Sequence, residues 1–244
     1  MSDCRRNSRR TLRLLALVMP ALALLPACSG GLRRSTVEPV TYVLRAAGTA
    51  AAAGAPATTA AAGALTRPTL GIARVLAQPG YAGEHVLLTR PDRSLDFYAG
   101  ARWPDALPEV VATLAAETLR ASGALRAVHD DAAPFTGEYT LRITIRRFDA
   151  EYAGESPPSV RVSLECTVAR VADRSVLAAF RAESAAPAAG NRLGAVVAAF
   201  EQAAQAALAE VSARTLAAIG TDAVAAQPGG TAAADAAAPA AAGR

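Results

Sequence analysis

The chain is predicted to fold as an α+β domain, a mostly antiparallel sheet with two amphipathic helices packed on one face. Three observations lead there. Apolar and polar residues alternate over Tyr139 to Arg146 and again over Val160 to Val168, the period of strands with one buried and one wet face. Over Asp105 to Ala121 and Arg192 to Ile219 apolar residues recur every three or four positions instead, the period of a helix with one buried stripe. The stretches follow one another as strands, helix, strands, helix, an order that segregates the helices to one face of an antiparallel sheet.

In chain order, Thr41 to Arg45 is a short candidate strand, and Thr69 to Leu76 resumes the pattern. Pro79, Gly80 and Gly83 break it before His85 to Arg90 reads as the next strand. Pro91-Asp92-Arg93-Ser94 has turn chemistry, because proline presets the backbone and Asp and Ser bond nearby amides. Leu95 to Tyr98 then returns as a hairpin partner. The first helix carries Leu107, Val110, Val111, Leu114 and Thr118 on its stripe, with Pro104 and Asp105 at its start and Gly123 just past its end. His129-Asp130-Asp131 is the polar end of a short strand running into a loop. Of the two long strands, the first buries Tyr139, Leu141, Ile143 and Ile145 and wets Thr140, Arg142, Thr144 and Arg146. The second, Val160 to Val168, pairs as a hairpin with Val176 to Ala182 across Asp173-Arg174. The last helix shows a stripe of Leu193, Val197, Phe200, Ala204, Leu208, Val211 and Ile219.

Composition brackets this domain. Hydrophobic residues make up 52% of the 244 positions but aromatics only 5%. Alanine supplies roughly a quarter of the chain, far above ordinary usage. All aromatics fall between Tyr42 and Phe200, and large aliphatics thin out beyond Ile219, so the folded unit is expected over residues 40–220. Within it, residues 46–64 are nearly all Ala, Gly, Thr and Pro and bury too little surface to offset the entropy of ordering, which predicts a flexible insertion. Residues 221–244 predict a disordered tail on the same grounds.

The N-terminus has a different logic. Arg5, Arg6, Arg9, Arg10 and Arg13 precede Leu14 to Leu25, twelve residues without a charge. That run is shorter than the ~20 apolar residues a bilayer span needs. A basic segment, a short apolar run and then small residues make the layout of a secretory signal peptide, expected over residues 1–27. Leu25-Pro26-Ala27-Cys28-Ser29 resembles the lipobox of bacterial lipoproteins, which implies a diacylglycerol on the Cys28 thiol and a lipidated tether over residues 28–39. Ser29 is not the Asp that resembles an inner-membrane retention signal, so the expected location is the outer membrane, facing the periplasm.

Cleavage ahead of Cys28 removes five arginines and one aspartate and leaves twenty residues of each sign. The formal +4 of the whole chain therefore belongs to the signal segment, and nucleic acid is excluded as a partner for want of a basic surface. Attachment to a membrane falls to the acyl chains, at about 0.8 kcal/mol per buried methylene.

No phosphate loop, Gly-x-Ser-x-Gly elbow, His-Glu-x-x-His or zinc-spaced cysteine pair occurs in the sequence. His85 and His129 each lack a second His or a Cys nearby, so no metal and no cofactor are expected. Cys166 falls on the apolar side of its strand and reads as a buried, inert thiol. Glu151 and Glu155 read as solvated charges at a hairpin tip, and Arg146 of the Arg146-Arg147 pair as an outward-facing residue. Nothing in the pattern calls for an enzyme.

One segment stands out, Asp96-Phe97-Tyr98-Ala99-Gly100-Ala101-Arg102-Trp103-Pro104-Asp105-Ala106-Leu107-Pro108. The sole Trp sits where strand passes into helix, beside an Arg and with two prolines stiffening the turn. A Trp there either caps the core over the sheet end or anchors a partner. The lipidated N-terminus, Tyr42-Val43-Leu44, Leu70-Gly71-Ile72, Tyr81, Val86 to Arg90 and above all Tyr98-Ala99-Gly100-Ala101-Arg102-Trp103 together resemble the ABC-type transport auxiliary lipoprotein family. The resemblance covers about Val40 to Ile219. It implies a non-catalytic component of a transport system that moves lipids or other hydrophobic molecules across the periplasm. The implied partners are an MCE-domain (MlaD-like) substrate-binding protein and an ABC permease and ATPase complex, with self-association left open. On this reading Tyr98, Arg102 and Trp103 are the candidate partner-binding residues and Cys28 the lipidation site. The alternative is a stand-alone outer-membrane module that binds a lipid or glycolipid between its helices and sheet.

Overall fold

A computed structural model describes residues 38–47, 67–131, 137–154 and 157–225. The predicted signal segment, Cys28 and almost all of the 46–64 insertion lie outside these residues, as does the tail beyond Ala225. Nine strands and two helices make up the described body. In order they are β1 (Val40–Thr41), β2 (Thr69–Ile72), β3 (Leu76–Ala77), β4 (His85–Thr89), β5 (Leu95–Arg102), α1 (Leu107–Ala121), β6 (Ala127–His129), β7 (Tyr139–Glu151), β8 (Ser159–Arg170), β9 (Val176–Pro187) and α2 (Leu193–Ala225).

The sheet is mixed, which corrects the expectation of a mostly antiparallel one. On one side of β7 the antiparallel meander β7–β8–β9 forms as the alternation predicts. On the other side β7 pairs in succession with β2, β3 and β4, all three parallel to it. β6 is parallel to β2, and β1 is parallel to β5, while β4 and β5 form the predicted antiparallel hairpin. The reason is α1. It begins where β4 starts, with the Leu107 amide on the Gly83 carbonyl, and carries the chain across the sheet to the start of β2, where the Arg126 amide donates to the Pro68 carbonyl. β6 and then β7 are thereby laid parallel to β2, and a parallel neighbour requires such a crossover. Hydropathy patterning registers the helix but not the direction in which the next strand is laid.

One face of β7 and β8 packs under the helices. Leu141, Ile143, Ile145, Phe148 and Ala150 of β7 stand opposite Val168, Cys166, Leu164, Val162 and Val160 of β8, all of them buried. A bulge between Ile145 and Arg147 shifts the alternation by one residue and keeps Phe148 and Ala150 on the core side. α1 contributes Leu107, Val110, Val111, Leu114 and Leu119. Thr118, predicted on its stripe, is half-buried, and its hydroxyl donates to the Leu114 carbonyl at 2.8 Å.

α2 packs on β8, β9 and α1. Its buried face includes Ala199, Ala203, Ala204 and Ala207, and the strand beneath offers Ala182 and Ala186. Alanine is thus a packing residue as well as a filler, because short side chains on both surfaces let helix and sheet approach closely. α2 also runs through Thr221–Ala225, so the first five residues of the predicted disordered tail are helical. Asp222 accounts for this extension. Its carboxylate receives the Tyr139 hydroxyl at 2.9 Å and the Arg170 Nε at 3.1 Å, which ties the helix end to β7 and β8.

The predicted strand Thr41 to Arg45 pairs only over Val40–Thr41. Beyond that the chain is held by α2, with the Arg45 amide donating to Glu201 at 3.3 Å and Gln205 donating to the Arg45 carbonyl at 2.9 Å. Leu44 and Ala46 are buried there. At the other side of the sheet, Gly137 lies against β2 so closely that a Cβ on it would stand 2.6 Å from the Gly71 nitrogen.

Candidate functional site

The junction from β5 into α1 is irregular, and its irregularity does the positioning. Along the β4–β5 hairpin Leu87 pairs with Phe97, yet His85 pairs with Arg102, so Tyr98 to Ala101 bulge outward opposite Val86. Gly100 takes a φ of 74°, a left-handed conformation that glycine adopts without a Cβ penalty. The bulge reverses the strand's facing. Phe97 is exposed and stacks on His85 at 4.5 Å, whereas Ala101 and Trp103, at odd positions like Phe97, are buried.

Trp103 is 1% exposed. Its ring meets Phe200 of α2 edge-on at 5.4 Å and Phe148 of β7 at 6.1 Å, and those two rings stack on each other at 5.3 Å. Three aromatics from a junction, a strand and a helix thereby fasten the end of the sheet to α2, and edge-to-face pairs of this kind add about 0.5–1.5 kcal/mol each beyond burial. Trp103 is a core cap, and its side chain presents no surface to a partner. Its amide donates to the Glu84 carbonyl at 2.7 Å, and the Leu107 amide donates to the Gly83 carbonyl at 3.1 Å. The loop before β4 therefore braces the helix start.

The other two candidate residues stand on either side of this cap. Arg102 is exposed, with Nε 3.3 Å from the Thr41 hydroxyl and Nη1 3.8 Å from Glu84. Tyr98 is half-buried, and its hydroxyl lies 3.0 Å from that of Tyr152, which donates to Asn191 at 2.7 Å. Burial, and then the bond to Tyr152, raise the Tyr98 pKa well above the ordinary tyrosine range, so it is a neutral hydrogen-bonding group. The three residues share one junction, but of the three only Arg102 has an exposed side chain at its surface.

The remaining candidates fall elsewhere. Cys166 is buried beneath α2, and burial pushes its thiol up to about 12; a group so far from thiolate formation is a poor nucleophile. His85 and His129 lie on different strands. Among the described residues no group of three His, Cys, Asp or Glu side chains could hold a metal ion, and no helix is long and apolar enough to cross a membrane.

Sequence reasoning missed one polar cluster. Asp149 lies between the core residues Phe148 and Ala150 and faces the opposite side of the sheet, yet it is 0% exposed. Tyr81 at 3.1 Å and Arg147 Nε at 3.0 Å bond its Oδ1, while Thr89 at 2.6 Å and Arg147 Nη2 at 3.1 Å bond its Oδ2. The Tyr81 pKa rises to about 12, through burial first and the neighbouring carboxylate second. Arg147 is correspondingly held in its charged form by the hydrogen bond to Asp149. The signal available in the sequence was Arg147 itself, the second arginine of a pair whose alternation only a bulge reconciles.

Comparison with known proteins bears on the whole body. The chain resembles a crystal structure of a Xanthomonas campestris protein of the DUF330 family, with 24% identity, a TM-score of 0.61, and coverage of 77% of this chain and 97% of that one. A second crystal structure, of an uncharacterized protein, matches with 16% identity and a TM-score of 0.51 over 60% of this chain and 91% of the other. At these identities the likeness is one of fold. No curated protein matches. The family model for the ABC-type transport auxiliary lipoprotein component matches residues 49–212, a span that contains the whole Tyr98 to Trp103 junction and the β7–β8–β9 meander. By that match, over about two thirds of its length, the chain belongs to the ABC-type transport auxiliary lipoprotein family.

Proposed function

We propose that the protein is a non-catalytic auxiliary lipoprotein of an ABC/MCE-type transport system. On this reading it is anchored in the outer membrane through Cys28 and supports movement of lipids or other hydrophobic molecules across the periplasm. The observation that carries the proposal is the family match over residues 49–212. The body suits the role. It is a sheet braced by two helices, the buried Cys166 thiol is far from reactive, and several of its charged residues are engaged in ion pairs across the strands. The partners proposed are an MCE-domain (MlaD-like) protein and its ABC permease and ATPase.

The stand-alone lipid-binding alternative needs an apolar space between helices and sheet. In this protein Trp103, Phe148 and Phe200 fill that layer at the junction, and alanines close it along α2. The cleft of about 490 Å³ between α1 and the β2–β3 segment carries Arg74, Glu109, Arg120, Asp130 and Asp131 in its lining and is not an apolar chamber. We therefore favour the docking role.

The test is affinity capture from envelope extracts. Trp103→Ala is a poor probe, because removing a buried Trp costs about 3–5 kcal/mol of stability and confounds binding with folding. Arg102→Glu is the better one, since that side chain is 48% exposed and its reversal leaves the core untouched. Wild-type protein should recover MCE and ABC components, and Arg102→Glu should recover several-fold less with an unchanged thermal transition. Recovery of neither component by the wild type would overturn the proposal.

A further inference from the structure

On the sheet face opposite the helices, beside the β4–β5 turn, lies a cleft of about 570 Å³. Arg90 and Arg93 of the turn and Arg146 and Arg147 of β7 line it, and Glu151 is the one carboxylate among its lining residues. The other carboxylates that pair with these arginines are not in the lining. Asp96 holds Arg90 through Nε at 3.0 Å, Glu165 holds Arg146 through Nε at 2.7 Å, and the buried Asp149 holds Arg147. Each of these pairs uses up one edge of a guanidinium and fixes its direction, and Arg147 Nη2 also lies 3.4 Å from Glu151. Arg93 makes no ion pair among the described residues. Four arginines against one carboxylate make the lining of the cleft cationic, with Asp96, Asp149 and Glu165 outside it.

We propose that this cleft binds a phosphoryl anion, the chemistry shared by inorganic phosphate and a phospholipid headgroup. A carboxylate offers acceptors in a single plane, which one guanidinium fork satisfies. A tetrahedral phosphoryl group offers oxygens in several directions and can take N–H donors from the turn and from β7 together. Pre-orientation matters as well. Arg147 is locked by a carboxylate that has no exposure and four hydrogen bonds, so little side-chain entropy remains to be lost when an anion arrives. The proposal does not depend on lipid attachment at Cys28 or on any transport partner.

The fold supplies its own control. The β4–β5 and β8–β9 hairpins both turn through Asp-Arg-Ser, with Asp92 bonded to the Ser94 amide and hydroxyl and Asp173 bonded to those of Ser175. Arg93 and Arg174 hold the same left-handed backbone, with φ of 69° and 60°, but only Arg93 borders the cleft. Asparagine adopts that conformation readily, so Arg93→Asn and Arg174→Asn each remove one positive charge and keep the turn.

The experiment follows the arginine Nε–Hε resonances of the full chain during titration with inorganic phosphate at low ionic strength, with chloride matched for ionic strength. Saturable shifts with phosphate alone are expected. Arg93→Asn should weaken binding about tenfold, the loss of one charge-assisted contact, and Arg174→Asn should leave it unchanged. Shifts that do not saturate, that chloride reproduces, or that both variants reduce equally would overturn the proposal. The titration is then repeated with the protein in phosphatidylglycerol vesicles. Loss of the phosphate response there identifies the headgroup as occupant, and its persistence identifies the free anion.

Discussion

Thr215 on α2 and Cys166 on the strand beneath it carry opposite lessons about buried polar atoms. Thr215 is fully buried on α2, and its hydroxyl has no hydrogen-bond partner. Two other threonines on the helices, Thr118 and Thr221, donate to the carbonyl four residues back. An unsatisfied buried hydroxyl costs about 1–3 kcal/mol, and valine has nearly the same shape. Thr215→Val is therefore expected to stabilise the protein by about 1 kcal/mol, read as a higher urea midpoint at unchanged slope. A lower midpoint would mean that the hydroxyl has a partner after all. Cys166 is matched to its surroundings as a neutral thiol. Its pKa rises from 9.0 unfolded to about 12 in the fold because burial disfavours the thiolate. The sign follows from linkage: the stabilisation is fully present below about pH 9 and is lost as pH climbs from there toward about 12. Urea midpoints of wild type and Cys166→Ala should converge between pH 8.5 and about 11, and a constant difference would refute the burial argument.

Strands, helices and turns were legible to different degrees, and the reasons are physical. The β7–β8–β9 meander is written in alternation because one face is packed and the other wet, and β8 was read to within two residues of its observed C-terminal end. Parallel pairing leaves no such mark. β2, β3 and β4 are only two to five residues long, too short for their patterns to say which neighbour they join or in which direction. The junction segment was recognised as a motif, but its reversal of facing depends on the bulge at Tyr98 to Ala101 and on Gly100 at positive φ, which hydropathy cannot register. The arginine cleft was invisible for a similar reason, since it joins a turn to a strand more than fifty residues away. Gly137 is the element-scale counterpart, a residue defined by two backbones in contact. A Cβ at that position would stand 2.6 Å from the Gly71 nitrogen and 2.9 Å from the Leu70 carbonyl carbon, both main-chain atoms that no side-chain rotation can move aside. Gly137→Ala should therefore separate β2 from the start of β7 and cost about 1–3 kcal/mol, measured by thermal or urea unfolding. Gly190→Ala, with open space around its Cβ position, should change little by comparison.

At the scale of the whole molecule the composition divides by location. The excess of basic residues lies ahead of Cys28, and the remainder of the chain carries equal numbers of each sign. Within the described body the arginines meet carboxylates in a lattice across β7, β8 and β9, where Glu165 takes Arg146 and Arg181, and Glu151 takes Arg147 and Arg161. Exposed pairs of this kind are worth at most about 1 kcal/mol each. Their collective effect is to leave the body without a strong field at long range, which screening at physiological salt would weaken further. A body with balanced charge has no strong long-range attraction to an anionic bilayer, so durable attachment is expected to come from acyl chains, two or more of which anchor firmly. The prediction is that protein exported through a conventional cleavable signal, with its mature chain starting at Ser29, fractionates as a soluble periplasmic protein even at low salt. The native chain should stay with the membrane through a high-salt wash, and mass spectrometry of its N-terminal peptide should show Cys28 carrying diacylglycerol. A Ser29-initiated chain that remained membrane-bound at low salt and was released by high salt would show that charge supplies the attachment. The neutrality argument would then fail, and the arginine cleft would become the first place to look for the charges responsible.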